Sequence, residues 1–395
     1  MEEPFMLLTL AGILLGARLS GRLSTWVGLP PVFGELMFGL MLGPAGLRWL
    51  RPNAELKAVA LLGVLLLMFL AGLETDARAL RKVGGGAIGA ALGGVLVPFF
   101  GAVLLGALVG LSWPQMLFLG AALTATSVSL SVQTLREMGH HQTRAGITIL
   151  GAAILDDVLG MGVLALATGL SGIGQPLVSV LKMGLFLGVV FLIGRRFIPM
   201  AAHWIARHHP DERGLALVLA MTLGMSGAAE AWGGVAAITG AYLTGLFLAG
   251  TSLEEQALRG ARTLGDGLLI PVFFVAVGLE APIPALEALS SFGLALLTLA
   301  VISKWLGSGL GARLGGLSAR EAFQVGAGMV SRGEVALVIA TLGWDAGWIS
   351  PQLYTSLILV IMGTTLLAPL LLRLAFVETQ LPLRRRSVEV GKAGE

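Results

Sequence analysis

The chain has 395 residues, 56% of them hydrophobic and 12% charged, with a net charge of +3 and no cysteine. Soluble domains carry about 25% charged residues, so a sizeable soluble domain is excluded and a helical membrane protein is implied. Disulfides, thiolate metal sites and cysteine nucleophiles are excluded as well, and the alternating pattern of a transmembrane barrel is absent.

In chain order, the apolar runs predict about thirteen spans. The first seven cover Pro4–Gly21, Val32–Leu50, Lys57–Leu73, Val83–Val109, Gln115–Leu135, Ala145–Gly169 and Leu177–Ala202. The remaining six cover Gly214–Ala231, Val235–Gly250, Asp266–Leu279, Leu289–Leu314, Glu321–Leu342 and Gln352–Phe376. The opening Met-Glu-Glu-Pro is acidic, so the first span makes a poor signal peptide. Arginines from Arg18 and Arg22 through Arg136, Arg144, Arg262 and Arg320 to Arg384, Arg385 and Arg386 fall in one set of alternate loops and the tail. The opposite side holds Arg48, Arg51, Lys57 and, near a helix end, Lys182. This bias puts the N-terminus outside and the C-terminus in the cytoplasm of a bacterial inner membrane. It also accounts for the basic pI of 9.6, so membrane lipid and not nucleic acid is the expected partner.

A repeat is visible at an offset of 206 residues. Gly34, Gly39 and Leu40 recur as Gly240, Gly245 and Leu246, and the triplet Gly72-Leu73-Glu74 recurs as Gly278-Leu279-Glu280. The offset equals seven spans, an odd number, so the two units lie inverted in the membrane. Two inverted six-helix repeats joined by a linker helix form a transporter architecture.

Three features carry chemistry. Asp156 and Asp157 lie about 16 Å into their span, half of a ~30 Å hydrocarbon core, where charge is costly and marks an ion or proton pathway. Neighbouring helical residues point about 100° apart, so one carboxylate can face a cavity while the other meets a helix. Carboxylate oxygens suit a hard cation such as sodium. Lys304 is also deep in its span and needs a partner, Asp156 or Asp157. Such a pair can release a proton when a cation takes the carboxylate. Finally, Thr126 and Ser127 interrupt the fifth span where Arg332, Gly333 and Glu334 interrupt the twelfth, at the same offset. Broken helices expose half-helix ends that serve ions, although Arg332 and Glu334 are equally explained as neutralising each other and the helix ends. Glu35 and Glu230 either line a funnel or face headgroups. His203, His208 and His209 are placed in a basic inner loop.

The stretches PPVFGELMFGLMLGP, LMFLAGLETD, TATSV, ILGAAILDDVLG, IPVFFVAVGLE, the Lys304 helix and RGEVALVIATLG resemble, in order, the cation/proton antiporter-2 family and most closely its NapA-type sodium/proton antiporters. The resemblance implies an all-α NhaA-like antiporter fold of thirteen helices with two crossing discontinuous helices. It also implies a homodimer and an elevator motion. Residues 1–82 and 213–288 would form a dimer domain, 83–170 and 289–378 a core ion-transport domain, 171–212 a linker and 379–395 a cytoplasmic tail. Asp157 would be the main sodium ligand, assisted by Asp156, Thr126 and Ser127, with Asp156 the partner of Lys304. The double-aspartate form resembles electrogenic exchangers of sodium or lithium. The glutathione-gated Kef potassium/proton systems carry Gln-Asp and a nucleotide-binding domain that is not expected here, so a Kef-type potassium/proton antiporter without a regulatory domain is the alternative reading. Ser331 stands where close relatives often have proline. No cofactor is implied, only transported cations and protons. An enzyme is not expected, because Gly-x-Gly-Asp, His-Glu-x-x-His and Walker motifs are missing. A cation channel is the weaker rival, since inverted repeats with a buried ion pair favour alternating access.

Overall fold

The computed structural model describes residues 3–44, 46–51, 53–76, 82–170, 176–208, 212–280, 290–345 and 347–376. All regular structure among the described residues is helical. The first half holds α1 (Glu3–Trp26), α2 (Pro31–Leu42), α3 (Ala54–Leu73), α4 (Gly84–Leu108), α5 (Trp113–Thr124), α6 (Val128–Glu137) and α7 (Arg144–Leu170). Then comes α8, which runs Pro176–Val189, through a π-helical turn at Val190–Gly194, into Arg195–His208. The second half holds α9 (Glu212–Ala228 with a π-turn at Ala229–Gly233), α10 (Ala237–Leu248) and α11. The three parts of α11 are Glu254–Leu264, a π-turn at Gly265–Leu269, and Ile270–Leu279. It ends with α12 (Ser291–Leu314), α13 (Ala319–Gly328), α14 (Glu334–Asp345) and α15 (Pro351–Phe376). Nine of the described helical stretches are long and apolar enough to cross a membrane, and three more are short and apolar.

The helix boundaries follow the 206-residue offset. Pro31 and Leu42 of α2 return as Ala237 and Leu248 of α10, and the last residue of α7, Leu170, returns as Phe376 of α15. Ser112 and Gln115 close a capping box at the start of α5, and Ser318 and Glu321 close another at the start of α13, again 206 residues on. Each box satisfies two otherwise unpaired N–H groups where the chain enters apolar surroundings.

Glycine decides how closely these helices approach. α4 packs antiparallel along α12. A Cβ added at Gly89 would lie 2.1 Å from the Gly311 carbonyl oxygen, and one at Gly93 would lie 2.1 Å from that of Gly307. The same packing occurs twice in the other helices. Gly39 sits under the Val275 carbonyl and Gly245 under that of Phe69, while Gly278 faces Leu36 and Gly72 faces Tyr242. Each of these contacts is its counterpart displaced by 206 residues, so the repeat preserves backbone contacts that only small residues allow.

The fifth and twelfth spans are each two helices, α5–α6 and α13–α14, broken where Thr126–Ser127 and Arg332–Gly333 interrupt them. Two expectations change in detail. The tenth span starts early: the polar segment from Glu254 is already helical, with Glu254 and Glu255 in its first turn complementing the helix dipole. His203 and His208 lie in the last part of α8 and not in a loop, each ring bonding a carbonyl four residues back; His209 lies outside the described residues.

Candidate ion-binding site at the two helix breaks

Asp156 and Asp157 occupy the middle of the 27-residue α7. Asp156 is fully buried and Asp157 is 6% exposed. Lys304, fully buried on α12, donates to Asp156 Oδ1 at 2.8 Å and to Oδ2 at 3.0 Å. Gly94 of α4 makes room for it, since a Cβ there would lie 3.3 Å from Lys304 Cε. The ammonium also donates to the carbonyl of Thr124, the last residue of α5. That carbonyl has lost its helical partner to the break, so the lysine satisfies both a carboxylate and a helix end.

The two breaks hold each other. Ser127 N donates to Ser331 O at 2.9 Å, and Ser331 Oγ donates back to Ser127 O at 2.9 Å. Ser131 Oγ reaches Gly328 O at 2.6 Å and meets Ser331 Oγ at 3.1 Å. A Cβ at Gly333 would lie 2.9 Å from Ser127 Cβ and Oγ, so the crossing requires glycine there. Thr126 is buried, and its hydroxyl has no hydrogen-bond partner among the described residues. An unused buried hydroxyl beside a break is a ready oxygen ligand.

Arg332 is fully buried and donates to Val330 O at 3.0 Å and Ala300 O at 3.3 Å, while Thr365 Oγ1 donates to Arg332 O at 2.8 Å. Its guanidinium thus meets a carbonyl in the break two residues after α13, as Lys304 meets the last carbonyl of α5. Glu334 begins α14, but its side chain lies outside the described residues.

Ser127, Arg332 and Gly333 line a cavity of about 70 Å³ together with Phe273, Val277 and Glu280. The last three also line a cavity of about 570 Å³ that contains Glu230, which is exposed, and Lys57. Asp156 and Asp157 line neither one. At the opposite end, a cleft of about 410 Å³ is lined by Glu35, Glu74, Arg136, Glu137, His141 and Arg262, among others, and shares no lining residue with the 70 Å³ cavity. Burial lowers the His141 pKa from its ordinary value, partly opposed by Glu74 and reinforced by Arg136 and Arg262. Sequence reasoning missed the bridging hydroxyls of Ser131, Ser331 and Thr365 and the ion cluster around Glu74. Only the repeated Gly-Leu-Glu triplet pointed to Glu74.

The profile of the transmembrane sodium/hydrogen exchanger family matches residues 7–377. The Na(+)/H(+)-K(+) antiporter GerN of Bacillus cereus is 36% identical over 93% of this chain and 95% of its own length. A Na(+)/H(+) antiporter of Enterococcus hirae is 35% identical over 91% of this chain and 95% of that protein. The fold resembles that of the sodium proton antiporter MjNhaP1 of Methanocaldococcus jannaschii, with a TM-score of 0.75 over 96% of this chain and 97% of that one at 19% identity. The chain is a multi-pass membrane protein that belongs to the sodium/hydrogen exchanger family, a family of antiporters and not of enzymes.

Proposed function

We propose that the chain exchanges sodium for protons, with both competing for Asp157 and Asp156. The observation that carries this reading is the buried Lys304–Asp156 pair against the broken end of α5, with Asp157 next along α7 and the unused Thr126 hydroxyl two residues beyond Thr124. A sodium ion drawn to Asp157 and Asp156, with oxygens of Thr126 and Ser127 as further ligands, weakens the hold of Asp156 on Lys304. The ammonium can then lose its proton. Two titrating groups set against one monovalent cation move net charge, so exchange is electrogenic. No cofactor is needed, since sodium and protons are the substrates.

The fifteen described helices, with each broken pair counted as one crossing, are consistent with thirteen spans arranged as two inverted repeats and a linker. In this reading α4–α7 and α12–α15 form the mobile core, and α1–α3 and α9–α11 form the dimer domain. The core slides as an elevator in a homodimer. The arginine-rich end, with the C-terminus, faces the cytoplasm of an inner membrane. Potassium as the exchanged cation is the second reading, favoured by the potassium in the name of the Bacillus relative.

The test is proton flux in proteoliposomes with sodium, lithium and potassium in turn, with and without a clamped membrane potential. Saturable, sodium-driven proton movement that responds to the potential is expected. Cation flux that neither saturates nor moves protons would overturn the reading.

A further inference from the structure

The repeat allows one end of the transport path to be compared with the other, residue for residue, and the two ends are not equivalent. Glu74 ends α3, and its repeat counterpart Glu280 ends α11. The Glu74 side chain is 4% exposed. It accepts from Arg136 Nε of α6 at 3.1 Å and from Arg262 Nη2 of α11 at 2.8 Å, and His141 Nε2 lies 3.5 Å away. Arg136 also lies 3.4 Å from Asp266, while Arg18 donates to the Asp266 carbonyl at 2.5 Å. One residue on, Glu137 Oε2 accepts from Val32 N at 3.0 Å, capping the start of α2. Arg136, Glu137 and His141 come from the α6–α7 region, and the other groups come from α1, α2, α3 and α11.

At the other end nothing similar crosses the seam between the two helix sets, α4–α7 with α12–α15 and α1–α3 with α9–α11, among the described residues. The position 206 residues after Arg136 is Leu342, and those after Glu137 and His141 are Gly343 and Gly347. Glu280 pairs instead with Lys57 of α3 at 3.2 Å, the lysine exposed and the glutamate half-buried at 35% exposure, both on the same side of the seam. Leu342 and Glu280 line the 570 Å³ cavity, which shares lining with the cavity at the breaks. Opening the arginine-rich end breaks charge-assisted hydrogen bonds that cross the seam, whereas the Lys57–Glu280 pair is largely solvated, is worth little and crosses no seam.

We infer that Arg136 and Glu137, closing on Glu74 and on the start of α2, form a one-sided latch. It holds the arginine-rich end shut and biases the transporter toward the state open at the Glu280 end. This rests on the proposal that the two helix sets move against each other. The bias has a structural cause: one arginine in the first repeat has a leucine as its counterpart in the second. Alternating access requires the cluster to separate once per cycle, so the latch also slows the opening it opposes.

The native chain lacks cysteine, so single reporters are clean. Ala237→Cys reports the Glu280 end and Ile270→Cys, 1% exposed, reports the arginine-rich cleft. Maleimide labelling rates are measured on the full chain in detergent, alone and with Arg136→Leu, which copies the second repeat. Arg136→Leu is expected to slow labelling at position 237 and speed it at position 270, changing their ratio by about tenfold. Glu74→Gln should shift the ratio the same way if Arg136→Leu does not fold, and Arg136→Lys should restore most of it. Leu342→Arg, which sets a cation near Glu280, should shift the ratio in the opposite direction. An unchanged ratio in folded Arg136→Leu or Glu74→Gln protein would overturn the latch. Sodium/proton exchange by the unmodified chain is measured in parallel: its absence defeats the transport reading, whereas the labelling ratio decides the latch by itself.

Discussion

The two helix breaks face one physical problem and meet it with different chemistry. In each, a half-helix ends inside the protein and leaves a carbonyl unpaired, at Thr124 in α5 and near Val330 after α13. These carbonyls are 206 residues apart, and each is met by a buried cation. Lys304 reaches the first from a separate helix and shares its ammonium with Asp156. Arg332 meets the second from within the break itself. A guanidinium stays protonated in proteins, whereas a buried ammonium can give up its proton. The second break therefore carries a fixed charge that secures the crossing, and the first carries an adjustable one where a cation can intervene.

The comparison can be broken by removing the groups that distinguish the breaks. The largest expected effect is functional: Asp157→Asn abolishes sodium-driven proton flux in proteoliposomes while the protein still folds, because the variant removes the carboxylate assigned to both ions. Robust flux by this variant would remove Asp157 from the account. Lys304→Ala strands the buried Asp156 and should cost about 3–5 kcal/mol of stability, measured by thermal melting in detergent. It should also weaken the response of exchange to membrane potential. Unchanged melting and unchanged electrogenicity would dissolve the pair. Arg332→Met should cost less, about 1–3 kcal/mol, through carbonyls left unmet, and leave the voltage response of any remaining exchange intact. If Arg332→Met altered voltage coupling as Lys304→Ala does, the division between fixed and adjustable charge would fall.

Much of this site was legible in the sequence because charge inside an apolar helix has few explanations. Asp156, Asp157 and Lys304 stand out for that reason, and the offset of 206 survives because Gly39, Gly72, Gly245 and Gly278 each lie against a backbone carbonyl that tolerates no side chain. What was not legible depends on contacts distant in sequence. The Ser127–Ser331 bridge spans 204 residues and Ser331 looks like any small polar residue. Arg136 looks like one more inner-loop arginine until Glu74 and Arg262 are brought beside it. The helical start of α11 was missed because its segment from Glu254 is amphipathic and polar, and hydropathy alone assigns such a stretch to a loop.

Two smaller effects sharpen the comparison. Ser331→Ala removes hydroxyl bonds that join the breaks and should cost about 1–2 kcal/mol; a melting temperature equal to that of the unmodified chain would show that the backbone bond from Ser127 suffices. His141 gives the smallest effect. Burial holds its folded pKa below the ordinary 6.5. The unfolded chain therefore binds the proton more readily, so this contribution is complete above pH 6.5 and is lost as the pH falls toward the folded value. His141→Gln should flatten the fall in melting temperature on acidification through that window, and an identical profile would remove His141 from the balance.

The most direct test of competition between sodium and protons is proton release on sodium binding. Sodium chloride is added to the detergent-solubilised chain in weakly buffered solution, with choline chloride as the ionic-strength control, and pH is followed with an indicator dye. Saturable acidification with sodium, none with choline and none in Asp157→Asn is the expected result. Sodium binding detected calorimetrically without proton release, or equal release from Asp157→Asn, would contradict it.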